Sequence, residues 1–203
     1  MKISFTIAVT FGLAFGPLAA GAASPGKLLR NPSFEYETAA DFHACVYWAL
    51  NRPGTHGDSY GSAQRENWRA HDGFYAMAIR GTWAGAGDGG GIWQEVPASP
   101  DTAYRFSAWV WADVAWTAQT RELKIEFWNA DHSRRIATVA QPLDGIGETW
   151  QEISLEAVAP DEAAWVRVVV HVADAGPEGA LLIDSLDLRA LSEPRWVHVA
   201  AGF

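Results

Sequence analysis

Tyr104-Arg105-Phe106-Ser107-Ala108-Trp109-Val110-Trp111-Ala112 alternates without a break. In an extended chain successive side chains point to opposite faces. Tyr104, Phe106, Ala108 and Val110 therefore fall on one side, and Arg105, Ser107, Trp109 and Trp111 on the other. A period of two sustained over this length predicts a strand with one face against a core.

The same pattern recurs on both sides of this stretch. Leu123, Ile125 and Phe127 oppose Lys124, Glu126 and Trp128; Val166, Val168, Val170 and Val172 oppose Trp165, Arg167, Val169 and His171. Tyr75, Met77 and Ile79 oppose Ala76, Ala78 and Arg80. Ile92–Val96, Arg135–Val139, Trp150–Glu156 and Ala180–Arg189 read as further strands. Turn chemistry separates them, as at Asn51-Arg52-Pro53-Gly54 and Gly176-Pro177-Glu178-Gly179. Phe34–Arg69 reads as loop, and no stretch carries a convincing helical period. Short strands with glycine and proline turns predict an all-β chain, a two-sheet antiparallel β-sandwich. Tyr104, Phe106, Val110, Leu123, Ile125, Phe127, Val166, Val168 and Val170 are its expected core.

Lys2, the apolar run Ile3–Phe15 and the small residues Ala20-Gly21-Ala22 read as an export signal. The expected organisation is a signal peptide over 1–22, a sandwich domain over 23–190 and a tail over 191–203. Secretion, or a periplasmic or cell-surface location, follows as the expectation. No second apolar run is long enough to cross a bilayer, so membrane insertion is not expected. A formal charge of −9 makes nucleic acid a poor partner, since that binding is dominated by phosphate neutralisation. Cys45 is the single cysteine, leaves no internal disulfide, and reads as a small buried hydrophobe. Gly85-x-Gly87-x-x-Gly90 precedes a strand rather than a helix, so it reads as a hairpin loop and not a dinucleotide cradle.

Leu28–Tyr36, the first stretch after the signal, breaks at Asn31-Pro32, which suits an edge strand or a kink. Its expected partner is Leu181–Leu188 near the other end of the chain. Paired, the two would bring Glu35 and Asp184 toward one hard cation; carboxylate oxygens suit calcium better than zinc. The alternative is two solvated edge acids. The six histidines show no metal-ligand spacing.

Asn-Pro-Ser-Phe-Glu at 31–35, His-Asp-Gly-Phe-Tyr-Ala-Met at 71–77, Ile-Trp-Gln at 92–94, Tyr-Arg-Phe-Ser-Ala-Trp-Val at 104–110, Trp-Gln-Glu-Ile at 150–153 and Leu-Ile-Asp-Ser-Leu-Asp-Leu at 182–188 occur in one order. In that order the chain resembles carbohydrate-binding modules of the family 4, 9 and 22 type. The resemblance implies a jelly roll, a structural calcium near the paired chain ends, and glycan binding on a concave sheet face. Pro32, where the family often has glycine, departs from the pattern, and Thr38–Trp68 matches poorly.

Eleven tryptophans exceed what a core of this size uses, and exposed aromatics mark binding sites. With the family topology, the outward faces of four strands set Arg80, Trp109, Trp111, Lys124, Glu126, Trp128, Arg167 and His171 side by side. Indoles stack on sugar rings while charged groups bind hydroxyls. Three cations against one carboxylate favour an acidic glycan. The alternative is that loops cover Trp109 and Trp111 in a second, smaller core. Trp83 and Trp93 flank the glycine-rich loop and come next; Trp150 and Trp165 suit the sandwich edge. The resulting expectation is an exported, non-catalytic module that binds a poly- or oligosaccharide. A polysaccharide lyase or glycoside hydrolase using Glu126, His171 and Arg167 is one alternative, and a structural or adhesive surface protein another.

Overall fold

The computed structural model describes residues 26–39, 41–51, 63–81 and 90–191. Residues 1–22, where an export signal is expected, Trp83 and the residues beyond Leu191 lie outside the described residues.

The described chain forms a small hairpin, β1 (Glu37–Thr38) with β2 (Asp41–Cys45), and two five-stranded antiparallel sheets. One sheet runs β10 (Gln151–Val158), β7 (Ala103–Ala112), β12 (Leu181–Ala190), β5 (Ala76–Ile79) and β4 (Ala63–Glu66). The other runs β3 (Ala49–Asn51), β6 (Gly90–Pro97), β11 (Trp165–Ala175), β8 (Ala118–Trp128) and β9 (Arg135–Pro142). It is an all-β sandwich. The expected core residues of β7, β8 and β11 are all buried and belong to one apolar cluster. Phe34–Arg69 holds more than loop, because β1 and β2 pair within it and β3 and β4 edge the two sheets. These strands are too short for alternation to register.

β12 breaks the period of two. Leu181 and Ile183 face the main core before the break, and Leu186 and Leu188 face it afterwards. Against β7, Asp184 pairs with Trp109 but Asp187 pairs with Ser107, so one extra residue sits between them. Ser185 carries it, with φ 50°. This is a β-bulge, which unpairs one residue and bends the strand.

The N-terminal segment lies along this bulge. Leu28 N donates to Leu188 O at 3.1 Å, and Leu186 N donates to Pro32 O at 3.0 Å. The segment is not a regular strand. Pro32 has no N–H, and Asn31 and Phe34 take positive φ of 48° and 57°. Buried Arg65 collects the resulting loop: Nε donates to Phe34 O at 2.6 Å and Nη2 to Glu35 O at 2.9 Å.

A second, smaller cluster lies outside the first sheet. Trp111, Ala78, Ala180 and Leu182 form it, with Trp150 packed against them. The Trp68 ring meets Trp111 edge-on at 5.7 Å, and the Arg69 guanidinium sits 4.3 Å from its centroid.

Candidate functional site

The groove lies on the outer face of the β6–β11–β8–β9 sheet. Register places Trp93 opposite Val169 and Glu95 opposite Arg167, while Arg167 also opposes Glu126 and Val169 opposes Lys124. Since each pair shares a face, the alternation of three strands builds one patch. Trp93, Val169, Lys124, Glu126, Trp128 and Arg167 line a cavity of about 270 Å³, closed by Arg135 from β9 and His171 from β11.

Arg167 is its centre. The guanidinium carbon lies 4.0 Å from the Trp93 centroid and 4.6 Å from that of Trp128. Nε and Nη2 donate to Glu95 Oε2 at 3.1 and 2.8 Å. A planar cation between two indoles holds both rings by cation–π attraction, and a fixed ring loses less entropy when it meets a ligand. Buried Glu126 accepts from Trp128 Nε1 at 3.0 Å and from Arg135 Nη1 at 2.9 Å, which fixes Trp128 a second time. Glu122 Oε1 lies 2.7 Å from Lys124 Nζ and 2.9 Å from His171 Nδ1. Burial pushes the Glu122 carboxyl up, but hydrogen bonds from Lys124 and His171 outweigh it and hold the group below its usual range.

Charge in the groove is balanced. Lys124, Arg135 and Arg167 each face a carboxylate: Glu122, Glu126 and Glu95. The sequence excess of three cations over one carboxylate is thereby corrected. Glu95 and Glu122 supply the missing acids, and Arg80 pairs with Glu66 in the other sheet.

The residues set side by side from sequence divide between the two sheets. Lys124, Glu126, Trp128, Arg167 and His171 come together with Trp93. Trp109, Trp111 and Arg80 do not join them, because β7 and β5 belong to the opposite sheet. Trp111 is buried in the second cluster, as the alternative reading had it. Trp109 stacks on His71, with centroids 3.9 Å apart and planes at 14°. Trp83 falls outside the described residues. Sequence reasoning missed Glu95 and Arg135 in the groove. Glu95, two residues from Trp93, is on the same strand face by simple alternation and was legible there.

Glu35 and Asp184 meet at one turn. Glu35 Oε1 accepts from the amides of Phe74 and Tyr75 at 3.0 and 3.1 Å. Asp184 Oδ2 accepts from His71 and Asp72 at 2.7 and 2.9 Å, and Oδ1 from Ser185 at 2.6 Å. Burial pushes the Asp184 carboxyl up to about 6, against the pull of these amides. Among the described residues no three His, Cys, Asp or Glu side chains gather as a metal cage. Hard oxygen remains at Glu35 Oε2 and in the second lone pairs of Asp184, so a cation there would need backbone carbonyls and water to fill its shell.

No family model matches the sequence, and no curated protein matches it. Solved structures share its fold. The enzymatically active domain of tailspike protein 4 from bacteriophage CBA120 gives a TM-score of 0.61 at 15% identity over 81% of this chain. The chain spans 21% of that structure. The CBM22-1 xylan-binding domain from Paenibacillus barcinonensis Xyn10C gives 0.54 at 13% identity, covering 85% of this chain and 99% of its own. TmCBM61, solved in complex with beta-1,4-galactotriose, gives 0.50 at 18% identity, covering 82% and 99%. At such identities the likeness is one of fold: this chain has the jelly-roll sandwich of carbohydrate-binding modules.

Proposed function

We propose that this protein is an exported, non-catalytic carbohydrate-binding module whose site is the groove between Trp93 and Trp128. The observation that carries the reading is the pair of indoles held on either side of Arg167. Flat apolar rings take the faces of sugar rings, and the charged groups beside them take hydroxyls. Because every cation in the groove is already paired, the ligand favoured is a neutral poly- or oligosaccharide. Both oxygens of Glu126 are engaged by Trp128 and Arg135, which suits a positioning part better than proton transfer. The fold shared with the xylan- and galactotriose-binding modules supports this reading.

A structural calcium at the Glu35–Asp184 turn belongs to the same proposal. Glu35 and Asp184 would hold it through carboxylate oxygen and tie the chain ends together, away from the groove.

Affinity electrophoresis through gels containing neutral or acidic polysaccharides tests the main reading. Retardation by a neutral glycan, lost in Trp93→Ala and Trp128→Ala, is expected. Equal retardation of wild type and both variants on every glycan that binds would overturn it.

A further inference from the structure

The opposite sheet carries a pocket that the groove does not explain. A cavity of about 220 Å³ opens beside Trp109, lined by Ser107, Glu152, Ser185 and Asp187 from β7, β10 and β12 and by Asp72 from the turn. The ring of Trp109 is pinned by His71, whose Nδ1 lies 3.2 Å from Ser185 Oγ.

Two observations set this pocket apart from ordinary surface. Asp187 pairs with Arg189 through Oδ2, yet its Oδ1 is buried with no hydrogen-bond partner among the described residues. A buried acceptor left unmatched costs free energy and calls for a donor. The bulge lies at the same place. With Ser185 removed, Asp184 and Asp187 would face outward and Leu186 and Leu188 inward in unbroken alternation, so the extra residue serves the outer side of the strand: it leaves Leu186 N to Pro32 O and sets Ser185 Oγ beside His71. A serine in left-handed backbone inside a strand is a cost the fold sustains beside this cavity. Bulges of this kind re-aim side chains next to sites.

We propose that this pocket is a second ligand site, separate from the groove, for a single sugar-sized polyol, with a cationic amine preferred to an acid. The size suits one ring. The ligand must be rich in donors, because three carboxylates, Asp72, Glu152 and Asp187, face only Lys27 and Arg189, and Arg189 is committed to Asp187. Trp109 supplies the one aromatic wall.

The test is a titration of isotope-labelled protein with glucosamine, glucose and glucuronate, followed at the Trp109 indole N–H and the Ser185 amide. Saturable shifts are expected below about 50 mM, tightest for glucosamine and weakest for glucuronate. Glu152→Gln, a change at an exposed side chain, and Asp187→Asn should each weaken glucosamine at least about fivefold. Polysaccharide retardation by the groove should be unchanged in both variants, which separates this site from the one proposed above. The absence of saturable shifts with glucosamine and glucose overturns the proposal. So does tightest binding of glucuronate, or wild-type affinity in both variants. Folded variants that also lose polysaccharide retardation would show one site rather than two, and sink it as well.

Discussion

Glu35 and Asp184, from opposite ends of the chain, hydrogen-bond the two halves of a single turn: Asp184 takes the amides of His71 and Asp72, Glu35 those of Phe74 and Tyr75. Two distant carboxylates thus close the sandwich by satisfying four backbone donors that a tight turn leaves without strand partners. Gly73 makes this possible. It sits at φ +69°, and a Cβ there would lie 2.4 Å from Glu35 Oε1.

Gly73→Ala is therefore expected to lose both backbone freedom and the Glu35 cap, and Glu35→Ala the cap alone. Leaving such donors unmatched costs about 1–3 kcal/mol. Thermal unfolding should place Gly73→Ala at or below Glu35→Ala, and a Gly73→Ala protein as stable as wild type would refute the account.

Asp184 makes stability depend on pH. Its carboxyl titrates at about 6 when folded, above its ordinary 3.8, so the folded state binds the proton more tightly than the unfolded chain. Its contribution is greatest below the unfolded value and declines as pH rises toward about 6. In chelator, urea unfolding from pH 4 to 7 should show the advantage of wild type over Asp184→Asn shrinking across that window. Parallel curves would contradict it.

Calcium at this turn is checked by its effect on folding alone. A ligand that binds only the native state raises Tm by mass action. Protein shown beforehand to hold metal should lose Tm in chelator, and Glu35→Ala with Asp184→Ala should abolish that response. An unchanged Tm removes the metal from the proposal.

The tryptophans should separate by role. Trp111→Ala opens the second cluster and is expected to cost about 3–5 kcal/mol of stability. Trp128→Ala should leave the fold intact and weaken a neutral glycan by about 2 kcal/mol, roughly thirtyfold. Calorimetry on both variants decides; a stable, non-binding Trp111→Ala protein would reverse the assignment.

Arg167→Ala should weaken glycan binding as strongly as losing one indole, because it frees Trp93, leaves Trp128 held by Glu126 alone and leaves Glu95 without its guanidinium. Added salt should barely change wild-type affinity, since the cations of the groove are already neutralised by neighbours. A steep salt dependence would point instead to an acidic ligand.

Alternation made the core readable. Phe106, Ile125 and Val168 announce their burial because one residue in two is apolar, and that pattern is local. Which strands share a sheet is not local. Trp109 and Trp128 look equivalent in sequence, but β7 pairs with β10 and β12 while β8 pairs with β9 and β11, and long-range pairing leaves no trace in either strand's own pattern. Lys124 and Arg167 stood out as cations, whereas their neutralisation by Glu122 and Glu95 depended on register across strands. The bulge was hidden for a similar reason. Leu-Ile-Asp-Ser-Leu-Asp-Leu reads as one strand until its neighbours show that Ser185 has no counterpart.

That unmatched serine bears on the chain's tolerance to gain or loss of length. Away from the bulge, deleting one residue of β12 would turn leucines outward and acids inward. At the bulge, removing Ser185 keeps every inward leucine in place and straightens the strand. The shortened protein would be a natural comparison molecule, sharing the sandwich interior while lacking the notch beside Trp109.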